Sequence, residues 1–210
     1  MRPDDHLVLI VDDDFRVREA LEELLAAAGL RPVALGSAAE YIAYPKPTVP
    51  ACLILDVELP DINGLELQRQ IRDRYHPPII FLTGHGDIPS SVRAMKAGAL
   101  DFLTKPFDDE ELLKLVSAAL AQDRERRAQQ ADLETLKQRF ESLTPREREV
   151  LPLVVSGLLN KQAAAHLGIS EVTLQIHRTN VMRKMEAESL ADLVRIAGRL
   201  NVPLPHERHL

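Results

Sequence analysis

The 210 residues suit one large domain or two small ones, and their 45% apolar and 28% charged content is that of an ordinary globular chain. The single cysteine, Cys52, excludes a disulfide framework and a cysteine-based zinc site, and no apolar run approaches the roughly 18 to 20 residues that cross a bilayer. The net charge of −6 argues at first against nucleic acid, but residues 1–120 carry 12 Lys and Arg against 20 Asp and Glu, while residues 121–210 carry 14 against 12.

The N-terminus lacks a signal-peptide core, since its first apolar run, Leu7–Val11, is only five residues long. A cytoplasmic protein is therefore expected. That run is continuous and β-branched, the pattern of a strand buried on both faces, and it ends in Asp12-Asp13-Asp14. A helix follows with Val17, Ala20, Leu21, Leu24, Leu25 and Ala28 on one stripe and Gly29 as its stop. Pro32–Leu35 reads as a second strand, and Ser37 caps a short helix through Ala43. The Pro45–Pro50 loop should be extended, and Cys52–Leu55 forms a third buried strand ending at Asp56. The pattern then repeats, with a helix over Gly64–Tyr75, a strand over Ile79–Leu82, a helix over Ile88–Ala97 stopped by Gly98, a strand over Asp101–Leu103 and a helix capped by Asp108. Such alternation predicts an α/β fold, a (βα)5 doubly wound parallel sheet with helices on both faces.

In such sheets ligands bind beyond the carboxyl ends of the strands. Asp12, Asp13 and Asp56 follow apolar strands, Thr83 follows the fourth and Lys105 the fifth, so all five converge on one edge. Three clustered carboxylates repel unless a cation joins them, and oxygen donors without His or Cys suit Mg²⁺ (or Mn²⁺). A hydroxyl and an ammonium facing that cluster provide the hydrogen bond and countercharge that a phosphoryl group needs. Any one Asp after a strand is usually a turn former or helix cap. Five such residues in this order are a specific signal.

The blocks Val11–Asp14, Leu55–Gly64, Thr83–Asp87 and Asp101–Phe107 resemble those of FixJ-type receiver domains, over roughly residues 5–120. The resemblance implies that Asp56 is the phosphoacceptor for a sensor histidine kinase. It further implies that Asp13, Asp56 and the Glu58 carbonyl bind Mg²⁺ directly, with Asp12 acting through water. Thr83 and Lys105 would hold the phosphoryl oxygens, Pro106 would follow a cis peptide, and Phe102 would rotate as Thr83 moves inward, helped by a flexible Gly84-His85-Gly86 loop. His85 lies near the site, and loop exposure explains it as well as catalysis does. Cys52 reads as an inert small hydrophobe.

Residues 108–140 lack Gly and Pro and are rich in helix formers. Leu112, Leu115, Val116, Ala119 and Leu120 form an apolar stripe, residues 121–132 are nearly all polar and should be solvated, and Leu133, Leu136, Phe140 and Leu143 restore the stripe. A spacer helix and a short coiled-coil dimer segment both fit this pattern, which makes 121–142 a helical linker.

Thr144, Pro145 and Glu147 form a helix start with a capping box, and Val150, Leu151 and Val154 form its buried face before Gly157. Asn160–Leu167, a turn at Gly168, and a helix capped by Ser170 and running to about Met185 match a helix-turn-helix. Ser189–Leu200 adds a helix with Leu190, Leu193, Val194 and Ala197 facing inward. The third helix carries Thr173, Gln175, Arg178, Thr179, Arg183 and Lys184 on its exposed face, groups able to offset phosphates or to bond base edges.

This second block, through Asn160-Lys161-Gln162, Leu167–Ser170 and His177–Met185, resembles the LuxR/FixJ-type DNA-binding domain, an all-α domain over residues 143–203. The resemblance implies base contacts from Gln175, Ile176 and Thr179, and phosphate contacts from Lys161, Thr173, Arg178 and Lys184. It departs from the family pattern at Pro152, where a kink is expected, at Ala163, which leaves a smaller core, and at Gln175, which favours adenine. The whole chain resembles a two-component response regulator of the FixJ/NarL family and its FixJ subfamily. This implies a transcription factor that dimerises on phosphorylation and binds promoter DNA, with RNA polymerase as a further partner. A regulator that binds DNA independently of phosphorylation is the alternative. A phosphohydrolase would need an Asp two residues after Asp56, where Glu58 is one methylene too long.

Overall fold

The computed structural model describes residues 6–72, 75–84, 92 and 94–204. The chain divides into two compact units, residues 1–127 and 128–210.

The first unit is built on five parallel strands, β1 (Leu7–Val11), β2 (Pro32–Leu35), β3 (Ala51–Asp56), β4 (Ile79–Thr83) and β5 (Asp101–Thr104), in the order β2-β1-β3-β4-β5. Every pairing is parallel, with Leu9 opposite Leu53 and Leu55 opposite Phe81. Side chains alternate across the sheet. Leu7, Leu9, Val11, Leu53, Leu55 and Phe81 thus enter one core, with Leu65, Leu67 and Ile71 from α3 (Gly64–Ile71) and Ala38 from α2 (Ala38–Ala43). Val8, Ile10, Cys52, Ile54, Ile80 and Leu82 enter the opposite core. There they meet Leu21 and Leu25 of α1 (Phe15–Ala27) and Leu112, Val116, Ala119 and Leu120 of α4 (Asp109–Glu141). The doubly wound α/β sheet expected from the alternating pattern is the observed one. Burial pushes the Cys52 thiol far up from its usual range, so it sits in the core as a neutral small hydrophobe.

Two local expectations change here. Helix α3 ends at Ile71 rather than Tyr75; His76 precedes two prolines, which disfavours helical backbone, and the Tyr75 hydroxyl donates to Asp123. The polar stretch 121–132 is not uniformly solvated, because Asp123 is completely buried. Its carboxylate accepts from the Ala51 amide at 2.9 Å, from the Tyr75 hydroxyl and from Arg126 and Arg127 at 2.8 Å. Both guanidinium groups also stack on the Tyr75 ring, at 4.5 and 4.6 Å from its centroid. Residues 85–91 and 93 lie outside the described residues and include His85, Gly86 and half of the expected Ile88–Ala97 helix; residues 94–96 are helical.

The second unit is helical. Residues 128–141 of α4 precede α5 (Pro145–Val155), α6 (Asn160–Leu167), α7 (Glu171–Lys184) and α8 (Leu190–Arg199). Leu136 and Leu143 join Val150, Leu151, Val154, Leu174, Val181, Met185 and Leu193 in one core, so the second apolar stripe of the linker is used within this unit. Thr144 and Glu147 form the expected capping box, and α5 runs continuously through Pro152. Ala163 is fully buried. Helix α8 is rotated from expectation. Leu193, Ile196 and Ala197 are buried, whereas Leu190 and Val194 are exposed, because the apolar positions outnumber those that one face of a ten-residue helix turns inward.

Candidate functional site

The apolar runs of β1, β3 and β4 give way to polar residues at the carboxyl edge of the sheet, and β5 ends at the same edge. Asp12 and Asp13 follow β1, Asp56 closes β3, Thr83 closes β4 and Lys105 follows β5. The Lys105 ammonium lies 2.6 Å from Asp12 Oδ2 and 2.6 Å from Asp56 Oδ2. Asp12, Asp56 and Thr83 are buried, while Asp13 is exposed. The remaining oxygens are engaged locally: Asp12 Oδ1 accepts from the Asp14 amide at 2.9 Å and Asp56 Oδ1 from the Glu58 amide at 3.0 Å. The Glu58 residue is exposed. An unforeseen contact, from Arg18 Nη1 to the Asp12 carbonyl at 2.6 Å, ties α1 to this edge.

Two carboxylates share one ammonium here, and Asp13 adds a third negative charge. Burial raises the Asp12 carboxyl above its ordinary range, and the neighbouring Asp56 charge adds to this. Lys105 and the Asp14 amide oppose it without cancelling it. For Lys105, burial alone would lower the ammonium, but its bonds to Asp12 and Asp56 outweigh burial and raise it. Asp12, Asp13 and Asp56 can each offer an oxygen within 4.8 Å of the others, a hard all-oxygen donor set with excess negative charge that suits a divalent cation.

The loops around this edge are tightly held. The Lys105 amide donates to the Thr83 carbonyl at 2.7 Å, and the Lys105–Pro106 peptide is cis. The Gly64 amide donates to the Val57 carbonyl at 2.9 Å, and a Cβ on Gly64 would lie 2.2 Å from the Asp56 carbonyl oxygen. Phe102, on β5, is half-buried, with its ring centroid 6.3 Å from that of Phe81.

The helix-turn-helix expected in the second half consists of α6, a left-handed turn at Gly168 (φ 65°) and α7, capped by the Ser170 hydroxyl. Gln175, Ile176 and Thr179 are exposed on α7, and Lys161 is exposed on the first turn of α6. Thr173 is half-buried beside Ser170, with 2.8 Å between the hydroxyls. Val172 and Ile176, one turn apart, are 73% and 57% exposed and form an apolar strip on this face. Sequence reasoning did not single out Val172, although its unburied spacing was visible.

Two of the other named residues also have partners within the domain. Arg178 Nη1 donates to Asn160 Oδ1 at 2.9 Å, and Asn160 Nδ2 donates to Gln175 Oε1 at 2.7 Å. Lys184 Nζ lies 2.6 Å from Glu147 Oε2 and donates to the Ser142 carbonyl at 3.1 Å. Burial works to raise the Glu147 carboxyl, but Lys184 and the Thr144 amide outweigh it and hold it below the usual range.

Comparison with known families and structures finds a match for each of the two units. Residues 8–117 match the response regulator receiver domain, and residues 141–197 match the bacterial regulatory proteins of the luxR family. Nodulation protein W of Bradyrhizobium diazoefficiens is 51% identical over 201 residues, covering 95% of this chain and 88% of the relative. The response regulator protein TodT of Pseudomonas putida is 46% identical over 195 residues, covering 92% and 86%. Among solved structures, the response regulator StyR superposes with a TM-score of 0.82 at 44% identity, covering 93% of this chain and 99% of StyR. Full-length FixJ from B. japonicum gives 0.56 at 37% identity, covering 94% and 98%. The receiver implies a kinase partner and the luxR-type domain implies DNA; among the described residues no helix is long and apolar enough to cross a membrane. The chain belongs to the two-component response regulators that join a receiver domain to a LuxR-type DNA-binding domain, with FixJ, TodT and StyR among its relatives.

Proposed function

We propose that this protein is cytoplasmic, that its Asp56 accepts a phosphoryl group from a sensor histidine kinase, and that acceptance promotes dimerisation and binding to promoter DNA. The observation that carries this is the Lys105 ammonium at 2.6 Å from both Asp12 and Asp56 in a buried strand-end cluster. A carboxylate oxygen of Asp56 attacks the phosphorus of a phosphohistidine. The new P–O bond forms as the P–N bond breaks, and the departing imidazole takes a proton from water. Mg²⁺ (or Mn²⁺), held by Asp13, Asp56 and the Glu58 carbonyl with Asp12 acting through water, would offset the negative charge on the phosphoryl oxygens.

Lys105 and the Thr83 hydroxyl hold those oxygens, and Phe102 shifts as Thr83 moves toward them. Glu58 stands where an aspartate would best orient an attacking water, so autodephosphorylation is weak. In the second unit Gln175, Ile176 and Thr179 meet base edges, while Lys161, Thr173, Arg178 and Lys184 lie toward phosphates, and the DNA-bound dimer engages RNA polymerase. The exposure of Gln175, Ile176 and Thr179 on one stretch of α7 supports this assignment.

Gel-shift titration of a selected palindromic duplex, with and without beryllofluoride plus Mg²⁺, tests the switch in wild type and Asp56→Asn. Activated wild type should bind at least about tenfold more tightly, a coupling of about 1.4 kcal/mol, and the variant should not respond. Equal affinity in every sample would instead make DNA binding independent of phosphorylation.

A further inference from the structure

The contact between α6 and α7 orients the one carboxamide on the exposed face of the recognition helix. Asn160 opens α6, and its side chain lies between Arg178 and Gln175 of α7. A guanidinium only donates, so the Asn160 atom facing Arg178 at 2.9 Å must be its carbonyl oxygen. The amide nitrogen of Asn160 is thereby turned to Gln175, and because that nitrogen only donates, the Gln175 atom 2.7 Å from it must be Oε1. The chain of donors leaves no freedom to exchange the oxygen and nitrogen of either amide. Gln175 Oε1 is consequently turned toward α6 with one lone pair taken, and Nε2, a pair of donors, is the end of the amide turned away from Asn160.

This bears on base choice. A glutamine reads adenine by using both ends of its amide, donating to N7 and accepting from the N6 amino group. With Oε1 held toward Asn160, the accepting half is turned aside, and the N6 amino group would meet Nε2, another donor, unless the amide gave up its bond to Asn160. Guanine offers acceptors at both N7 and O6, so an amide that presents Nε2 suits it better. We infer that Asn160 is a specificity-determining residue, which holds Gln175 as a hydrogen-bond donor and turns its preference from adenine to guanine. The inference rests on the assignment of Gln175 as a base-contacting residue and reverses the adenine preference expected from residue type alone. Arg178, as the fixed donor that orients Asn160, is a positioning residue in the same relay.

The test uses the full chain and a duplex obtained by selection from random sequence, synthesised with each of the four base pairs at every half-site position. Gln175→Ala identifies the position that Gln175 reads, as the one where discrimination collapses. There, wild type should favour guanine over adenine at least about fivefold, the lower range of one good base contact. Asn160→Ala should lower that ratio at least about threefold and leave other positions unchanged. Asn160→Asp should invert it, because a carboxylate accepts from Arg178 and from Gln175 Nε2 and so turns Oε1 outward toward amino groups. The added negative charge weakens binding to all duplexes alike and drops out of the ratio.

An adenine preference in wild type, or a ratio unmoved in both Asn160 variants, overturns the inference. Undiminished discrimination at every position in Gln175→Ala overturns the base-contact assignment itself, and the inference with it. If Asn160→Ala melts before it can be assayed, the inversion by Asn160→Asp decides.

Discussion

At Gly64 the absence of a side chain matters for Asp56, eight residues away in sequence. The loop after β3 doubles back so closely that a Cβ at this position would lie 2.2 Å from the Asp56 carbonyl oxygen, with Val57 Cα at 3.1 Å. Those contacts are backbone atoms and cannot rotate aside, so Gly64→Ala must move the chain that carries Asp56. The expected cost is about 1–3 kcal/mol in urea unfolding, as for other overpacked sites, together with loss of labelling by acetyl phosphate. Wild-type stability and labelling in the variant would show that the loop gives way without disturbing the carboxylate. The same scale explains why Glu147 is held so firmly. A residue recognisable in sequence as the second half of a capping box also meets the Lys184 ammonium at 2.6 Å, which nothing in their 37-residue separation announces.

At the scale of elements, α4 is tied to the first unit by a buried charge rather than by its apolar stripe alone. Asp123 reaches the first residue of β3 through the Ala51 amide and the segment after α3 through Tyr75, while Arg127 donates to the Pro47 carbonyl at 2.9 Å. Asp123→Ala should destabilise this unit by about 2–4 kcal/mol, because it strands the Ala51 amide and two cations; Arg126 and Arg127 keep some access to water, which limits the loss. An unfolding midpoint within error of wild type would refute this.

The pH dependence has a definite sign. Burial works to raise the Asp123 carboxyl, but the bonds from Tyr75, Arg127, Ala51 and Arg126 outweigh it and hold it below the ordinary 3.8. A carboxyl depressed in the folded state contributes stability that is present in full above its unfolded value and is lost as pH falls through the folded one. The stability gap between wild type and Asp123→Asn should therefore stay constant above about pH 5 and shrink on acidification below about pH 4. A gap independent of pH would assign the effect to shape alone.

Across the whole molecule, the two-part organisation and the strand-end cluster were legible because both rest on periodicity and order along the chain. Apolar β-branched runs ending in Asp12, Asp56 and Thr83 allow little besides a parallel sheet with those residues at one edge, and Thr144 and Gly168 mark helix boundaries by local chemistry. What escaped depends on contacts distant in sequence. Asp123 sits in a nearly all-polar stretch, and no local pattern separates a buried carboxylate from a solvated one until Tyr75 and Ala51 arrive beside it. The outward turn of Leu190 and Val194 is decided by which apolar residues of α8 the rest of the core has room for. The orientation of Gln175 likewise depends on Asn160, fifteen residues earlier and in another helix.

The burial of Cys52 makes the only thiol of the chain a clock for the unit that contains it. Alkylation requires a thiolate in contact with solvent, and Cys52 has neither charge nor access while β3 stays between β1 and β4. Its rate of reaction with iodoacetamide should then follow the opening equilibrium of the sheet, rising with urea, and more steeply in Asp123→Ala. The helical unit holds no cysteine to confuse the signal. Reaction at the rate of a free thiol in native buffer would mean that the sheet around β3 opens far more often than its packing implies.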